Sequence, residues 1–445
     1  MIETEIKDGR VLELMADTVG ELPDTSEIPD ISDQIPEGKK KTSLKIRFIL
    51  LTLGVSSLLP WNIILNAAGY FQIRLKGTRF EDNFSYFIQA TAIFCNLFGS
   101  FSMLYLNKKF DTRKMALFTN ITMCTPLILM TILAKTDTST WQEEFFILNL
   151  AAFGVNAFSH GLCTSAQSAL CTMISAEVMK DYYIGKGLAG LVASALTLIT
   201  LSFPSLSAET ATFYYFLVTT LLTLVGTTIL TYYFINLPEV KEKTKEKKYA
   251  PDGSKENEME KEEAIPLSVL LPKIKVQCIT ALLITITSLL IFPAIMTNLK
   301  PIHQPVPATD WTEKYFLPVT VYLIFALGDN VGKIASGFLT WPGKDTIVWV
   351  ALIRSILVPL TFMTNIQPRT LPVWFKNDVV PSFLGFLTAS TGGYLMNLVL
   401  AYAPSYVEGT QNKGRVSMIV FAFISLGLAS GSAFIFAVPP LLNAY

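Results

Sequence analysis

Long apolar runs alternate with short polar loops along most of the chain, and each run has the length of a membrane crossing. About 20 apolar residues span the hydrocarbon core of a bilayer as a helix. Such runs lie near residues 46–69, 84–106, 114–134, 143–171, 184–204, 209–236, 268–297, 314–340, 346–364, 379–402 and 415–441. Glu177, Lys180 and Asp181 fall between the fourth and fifth and blur that boundary. The pattern predicts an all-α polytopic membrane protein with 11 transmembrane helices.

Polar stretches divide these runs. Residues 1–44 open with a proline-broken acidic tail, expected to be disordered and cytosolic. No apolar core of signal-peptide length interrupts it, so the first span is expected to serve as the targeting signal. Residues 45–237 would form an N-terminal six-helix bundle and residues 267–445 a C-terminal five-helix bundle. Between them, 238–266 reads as a charged cytosolic linker around Pro251-Asp252-Gly253. A six-plus-five layout implies two pseudo-symmetric bundles with a binding site between them near the midplane.

Basic residues set the orientation. Lys39, Lys40, Lys41, Lys45 and Arg47 precede the first span, and Lys108, Lys109, Arg113 and Lys114 crowd the loop after the second. Both belong in the cytosol by the positive-inside rule. Alternation then places the N-terminus inside, the loop with Glu143 and Glu144 outside, and the C-terminus outside. The external loop 70–83 ends in the sequon Asn83-Phe84-Ser85, which makes Asn83 a glycosylation candidate at a plasma membrane, with an endosomal membrane as the other address. Asn120-Ile121-Thr122 lies within a span and is expected to be silent.

Composition agrees: 51% of residues are hydrophobic and 16% charged, with formal net charge zero. The zero balance hides a segregation of charges into the tail, the linker and short loops and so says nothing of a nucleic-acid partner; none is expected of a polytopic membrane protein. The five cysteines sit in or beside apolar runs without metal-ligand spacing and read as small core residues. No cofactor, metal or enzymatic activity is expected.

The exceptions to the apolar pattern carry the chemistry. Asp329 and Lys333 stand four residues apart in the eighth span, on one helix face where they neutralise each other. Each costs about 2.5–3.5 kcal/mol at the centre of a bilayer, so the pair is expected to face a solute pathway or to lock helices together. Arg354, in the ninth span, reads as a partner for helix ends or an acid. The first span holds Leu58-Leu59-Pro60-Trp61-Asn62, either a proline kink with an interfacial aromatic or a stacking platform beside an amide. His160, Thr164, Ser165, Gln167 and Ser168 make the fourth span unusually polar, suited to interhelical hydrogen bonds. His160 is a titratable group in that cluster. Gly185-Lys186-Gly187-Leu188-Ala189-Gly190 matches a dinucleotide fingerprint in letters, but it opens a membrane span and is read as a helix-packing stretch.

These residues together resemble the equilibrative nucleoside transporter family, from about residue 48 to 440. The shared motifs are Leu59-Pro60-Trp61-Asn62 with Tyr70-Phe71 and Arg74-Leu75, Gly185 to Gly190, Ile291-Phe292-Pro293-Ala294, Asp329-x-x-Gly332-Lys333, Trp341 to Asp345, Asn365 to Arg369, Gly393-Tyr394-Leu395 and Leu426 to Ala429. The resemblance implies a major-facilitator-like fold and passive alternating-access transport of a small-molecule nucleoside, by a monomer embedded in membrane lipid. It implies that Trp61, Leu58, Leu65 and Leu428 line a central cavity and that Asp329 and Lys333 meet the ribose. Gln167 is the proposed base-reading amide, although counting back from Gly185 lands on Thr164. Asn62, His160, Phe292, Pro293 and Arg354 are assigned structural or gating roles. Relatives carry arginine where Lys333 stands. The alternative expectations are a nucleobase, organic-cation or monoamine carrier, proton-linked, and a non-transporting receptor or scaffold.

Overall fold

A computed structural model of the protein describes residues 43–81, 83–203, 207–244 and 265–433. The expected disordered tail up to residue 42 and the middle of the charged linker lie outside these residues. Apart from one isolated bridge between Leu299 and Ile366, the described secondary structure is helical.

The long helices follow the apolar runs in order. They are α1 (Leu44–Asn66), α2 (Phe84–Leu106), α3 (Thr112–Leu133), α4 (Gln142–Ile174) and α5 (Ala176–Leu201). Helix α6 runs Ala208–Thr223 and continues through a π-helical turn to Asn236. Then come α7 (Leu267–Leu289), α8 (Ile324–Ala335, preceded by π-helical turns from Trp311), α9 (Ile347–Phe362, broken after Arg354), α10 (Val379–Tyr402) and α11 (Thr410–Ala433). Among the described residues, nine helices are long and apolar enough to cross a membrane, and α9 is a shorter apolar helix.

Two boundaries differ from the sequence pattern for visible reasons. The fifth helix begins at Ala176, eight residues before its expected start at 184, and takes in Glu177, Lys180 and Asp181. Those charges do not interrupt it because neighbours satisfy them. Asp181 accepts from Arg47 of α1 at 2.7 and 2.9 Å, and Lys180 Nζ donates to the Ser336 carbonyl at 3.2 Å. Ser175 divides α4 from α5, with extended backbone and a hydroxyl that accepts from the Val178 N–H at 3.2 Å. The second difference falls in the predicted linker. Its first residues, Pro238–Thr244, form a helix whose Val240 is fully buried, docked on α4 and α6. Proline opens that turn at no hydrogen-bond cost, and Val240 and Thr244, four apart, share the docking face.

Packing follows small residues. Helices α1 and α5 meet at Gly54 and Gly185. A Cβ at Gly54 would lie 2.2 Å from the Tyr182 carbonyl oxygen, and one at Gly185 would lie 2.2 Å from that of Leu51. The glycine-rich stretch is thus a close backbone contact, not a phosphate cradle. Helix α4 packs on α2 and α3, α7 on α11, and α8 on α10. Two further groups of contacts join the first six helices to the rest: α11 against α2 and α4, and α5 against α8 and α10. Hydrogen bonds brace α5 at both ends, from Lys180 to Ser336 and from the Tyr315 hydroxyl to the Leu201 carbonyl at 3.3 Å.

The two sequons fall in opposite environments. Asn83 is exposed in the loop before α2, whereas Asn120 is fully buried and donates to the Ala116 carbonyl and the Thr231 hydroxyl. All five cysteines are free thiols, four of them buried. Gly185→Ala is expected to destabilise the protein by about 1–3 kcal/mol through overpacking. Its thermal unfolding midpoint in detergent should fall clearly below wild type, and an unchanged midpoint would contradict the close contact.

Candidate solute site in the helix core

A cavity of about 350 Å³ opens where these helices converge. Its lining follows helical spacing. Helix α4 contributes Phe153, Asn156, Ala157, His160 and Thr164, and α8 with the π-helical turn before it contributes Tyr322, Phe325, Ala326, Asp329 and Lys333, each set recurring every three or four residues along one face. Such spacing concentrates each helix's polar exceptions on one face, which explains how two largely apolar helices supply a polar wall.

One pole is aromatic. Trp61 of α1 stacks on Phe153 with ring centroids 6.1 Å apart and planes 12° from parallel. Pro60 has no N–H to give, which leaves a carbonyl one turn earlier without its usual donor, while the Asn62 amide donates to the Leu58 carbonyl at 3.1 Å. A second aromatic group faces in from the other set of helices. Phe292 stacks on Phe325 at 4.4 Å and meets Tyr322 edge-on at 5.5 Å. Phe292 can turn there because the π-helical segment that continues α7, Leu290–Ile295, is broken: the Phe292 backbone is extended (φ −131°, ψ 125°) immediately before Pro293.

The other pole is charged. Lys333 Nζ lies 2.7 Å from Asp329 Oδ2 and 4.3 Å from the centre of the Tyr183 ring. The lysine side chain is 5% exposed and the carboxylate 26%. The ammonium is therefore packed behind while the acid faces the cavity, neutralised and aimed by its partner.

Of the residues singled out in the sequence, Leu58, Trp61, Asn62, His160, Phe292, Asp329, Lys333 and Leu428 line this one cavity. Three do not. Gln167 is turned away into a buried cluster, donating to Asn120 Oδ1 and Thr231 Oγ1 at 3.4 and 3.3 Å and accepting from the Tyr182 hydroxyl at 2.9 Å. It stands three residues beyond Thr164, so it points about 60° off the lining face of α4, and Thr164 occupies the cavity instead. Pro293 is buried at the break in α7. Arg354 is 5% exposed and donates to four neutral acceptors: the Ile284 and Thr388 carbonyls and the Ser288 and Thr391 hydroxyls, at 2.7–3.1 Å. It clamps α9 to α7 and α10, and a Cβ at Gly392 would lie 2.7 Å from its guanidinium. The Leu65 side chain lies outside the described residues.

Sequence reasoning missed Lys186, which lines the cavity and is 6% exposed. The signal was present. A lysine between two glycines within an apolar helix is the same energetic anomaly that marked Asp329.

Residues 150–438 match the family model described as Nucleoside transporter. This chain belongs to the nucleoside transporter family. Equilibrative nucleoside transporter 3 of Rattus norvegicus is 27% identical to it over 415 residues, covering 86% of each chain. Equilibrative nucleoside transporter 1 of Homo sapiens is 24% identical over 441 residues, covering 87% of this chain and 95% of that one. Among solved structures, the major facilitator superfamily proton:xylose symporter XylE superposes with a TM-score of 0.61 at 11% identity, covering 89% of this chain and 88% of that one. The major facilitator superfamily transporter FucP, in its outward conformation, gives 0.54 at 11%, covering 89% and 98%. At that identity the likeness establishes architecture alone: the nucleoside transporter chain is a multi-pass helical membrane protein with a major-facilitator fold. Its family is one of transporters, not enzymes.

In this nucleoside transporter the Arg354 clamp carries its own prediction. Arg354→Lys keeps the charge but has three donors where four acceptors wait. It should cost about 1–3 kcal/mol, seen as a lower unfolding midpoint. A midpoint equal to wild type would show that the clamp holds nothing.

Proposed function

We propose that this chain carries nucleosides down their concentration gradient by alternating access, with the solute held in the central cavity. The observation that supports this reading most strongly is that one cavity of about 350 Å³ presents a stacked Trp61 ring and the Asp329 carboxylate together. A nucleoside is a flat base joined to a sugar with vicinal hydroxyls. The base would lie against Trp61, with Leu58 and Leu428 beside it. The ribose hydroxyls would donate to Asp329, whose carboxylate is held in place by Lys333 Nζ at 2.7 Å. On the lining face of α4, Thr164 occupies the cavity wall that the Gln167 side chain does not reach.

The broken helices at Trp311–Ala335 and Ile347–Phe362, added to the nine longer ones, would complete eleven crossings in two pseudo-symmetric bundles of six and five. These would rock about the bound solute and expose it to either side. We place the N-terminus in the cytosol, the C-terminus and a glycosylated Asn83 outside, and the working protein as a monomer in the plasma membrane.

The lining weighs against an organic-cation substrate. One carboxylate and two lysines line the cavity, so the excess positive charge disfavours a cationic solute.

Asp329→Asn should reduce uridine and adenosine uptake about tenfold or more while the protein still reaches the membrane. Wild-type uptake by this variant would remove the ribose-acceptor role. Trp61→Ala should weaken nucleoside binding well beyond Trp61→Phe, since a phenyl ring keeps part of the stacking face. Equal losses in a binding assay on the two variants would argue against stacking.

A further inference from the structure

Two lysines line the cavity, but only one has a carboxylate. Lys333 is paired with Asp329, while among the described residues no Asp or Glu forms an ion pair with Lys186. The Lys186 ammonium donates to Thr164 Oγ1 at 3.1 Å and lies 5.6 Å from the ring centres of Tyr182 and Phe421. Aromatic faces attract a cation but offer no hydrogen-bond acceptor of ordinary strength. An ammonium has three donors, and a buried charge left without partners is costly.

The neighbouring network shows why Thr164 cannot supply more. The hydroxyls of Ser100 and Ser425 lie 2.8 Å from each other and each 3.3 Å from Asn96 Oδ1; one donates to the other and the second donates to that oxygen, which turns the Asn96 amide nitrogen toward His160 Nδ1, 3.2 Å away. With Nδ1 accepting, the imidazole proton sits on Nε2 and goes to Thr164 Oγ1 at 3.2 Å. The threonine oxygen then accepts from both His160 and Lys186, and its two lone pairs are filled. The remaining Lys186 donors require an acceptor, and among the described residues no second hydrogen bond is formed by this ammonium.

We propose that Lys186 is a specificity-determining contact for an oxygen acceptor on the solute, completing a cavity that already offers a carboxylate for its hydroxyl donors. This rests on the nucleoside reading above. The oxygen is either a carbonyl of the base or an anionic oxygen of a phosphorylated nucleoside. Both complete the ammonium, and a cationic solute completes nothing.

The test uses the purified full chain in proteoliposomes, as wild type, Lys186→Met and Lys186→Gln, with uridine, inosine, adenosine and uridine 5′-monophosphate as solutes. Adenosine serves as the control because its base has no carbonyl. Lys186→Met should raise KM for uridine and inosine about tenfold or more, and for adenosine less than about threefold. Lys186→Gln, which retains an N–H donor, should recover part of the loss. Uptake of the monophosphate that exceeds uridine uptake and collapses in Lys186→Met would identify the acceptor as phosphate. Its exclusion, with the uridine effect intact, would identify it as the base carbonyl. Equal KM changes for all solutes, or none, would reduce Lys186 to a packing residue and overturn the proposal. A wild type that moves no nucleoside would instead contradict the nucleoside reading and take the subsite with it.

Discussion

A charge inside a bilayer must find a counter-charge, a set of hydrogen-bond partners or a polar cavity, and the helix core is organised around four that do so differently. Asp329 and Lys333 neutralise each other across one helical turn, with the acid turned to the cavity. Arg354 places four of its donors on neutral acceptors of two neighbouring helices. Lys186 has one hydroxyl and two aromatic faces. At about 2.5–3.5 kcal/mol for each charge placed at mid-membrane, none could be kept by an isolated helix facing lipid. The bundle has to enclose them, and the cavity is the space they leave.

That constraint links packing to function. Close approach of α1 to α5 through Gly54 and Gly185 brings Trp61 and Lys186 to the same cavity, and the α5–α8 contact sets Lys333 over the Tyr183 ring. The Arg354 clamp fixes α7 and α10 beside one another, so Ser288 and Gly392 form a steady wall. Bonds at both ends of α5 tie it to Ser336, just after α8, and to Tyr315, in the turns before α8, and in the proposed rocking cycle they are contacts that would have to be exchanged.

Much of this was legible in the sequence because membrane physics writes plainly. Apolar length located the helices, and the i,i+4 spacing of Asp329 and Lys333 placed both on one face. Trp61 and His160 were recognisable as polar or aromatic exceptions within apolar runs. What was not legible depended on partners distant in the chain. The start of α5 was misplaced because Asp181 is neutralised by Arg47, 134 residues away. Gln167 was the base reader that the family resemblance suggested, although the count from Gly185 fell on Thr164; three residues further along α4, its amide is turned to Asn120 and Thr231. Lys186 was hidden by the glycines around it, whose resemblance to a nucleotide fingerprint drew attention from the charge.

The claim at the centre of this account is spatial: a nucleoside spans the cavity with its base on the Trp61 and Phe153 side and its sugar at Asp329. The most direct test is an experimental structure of the protein with uridine bound. The uracil ring should be stacked against Trp61, with at least one ribose hydroxyl within hydrogen-bond distance of the Asp329 carboxylate. Uridine seated outside this cavity, or inside it with the sugar remote from Asp329, would contradict it.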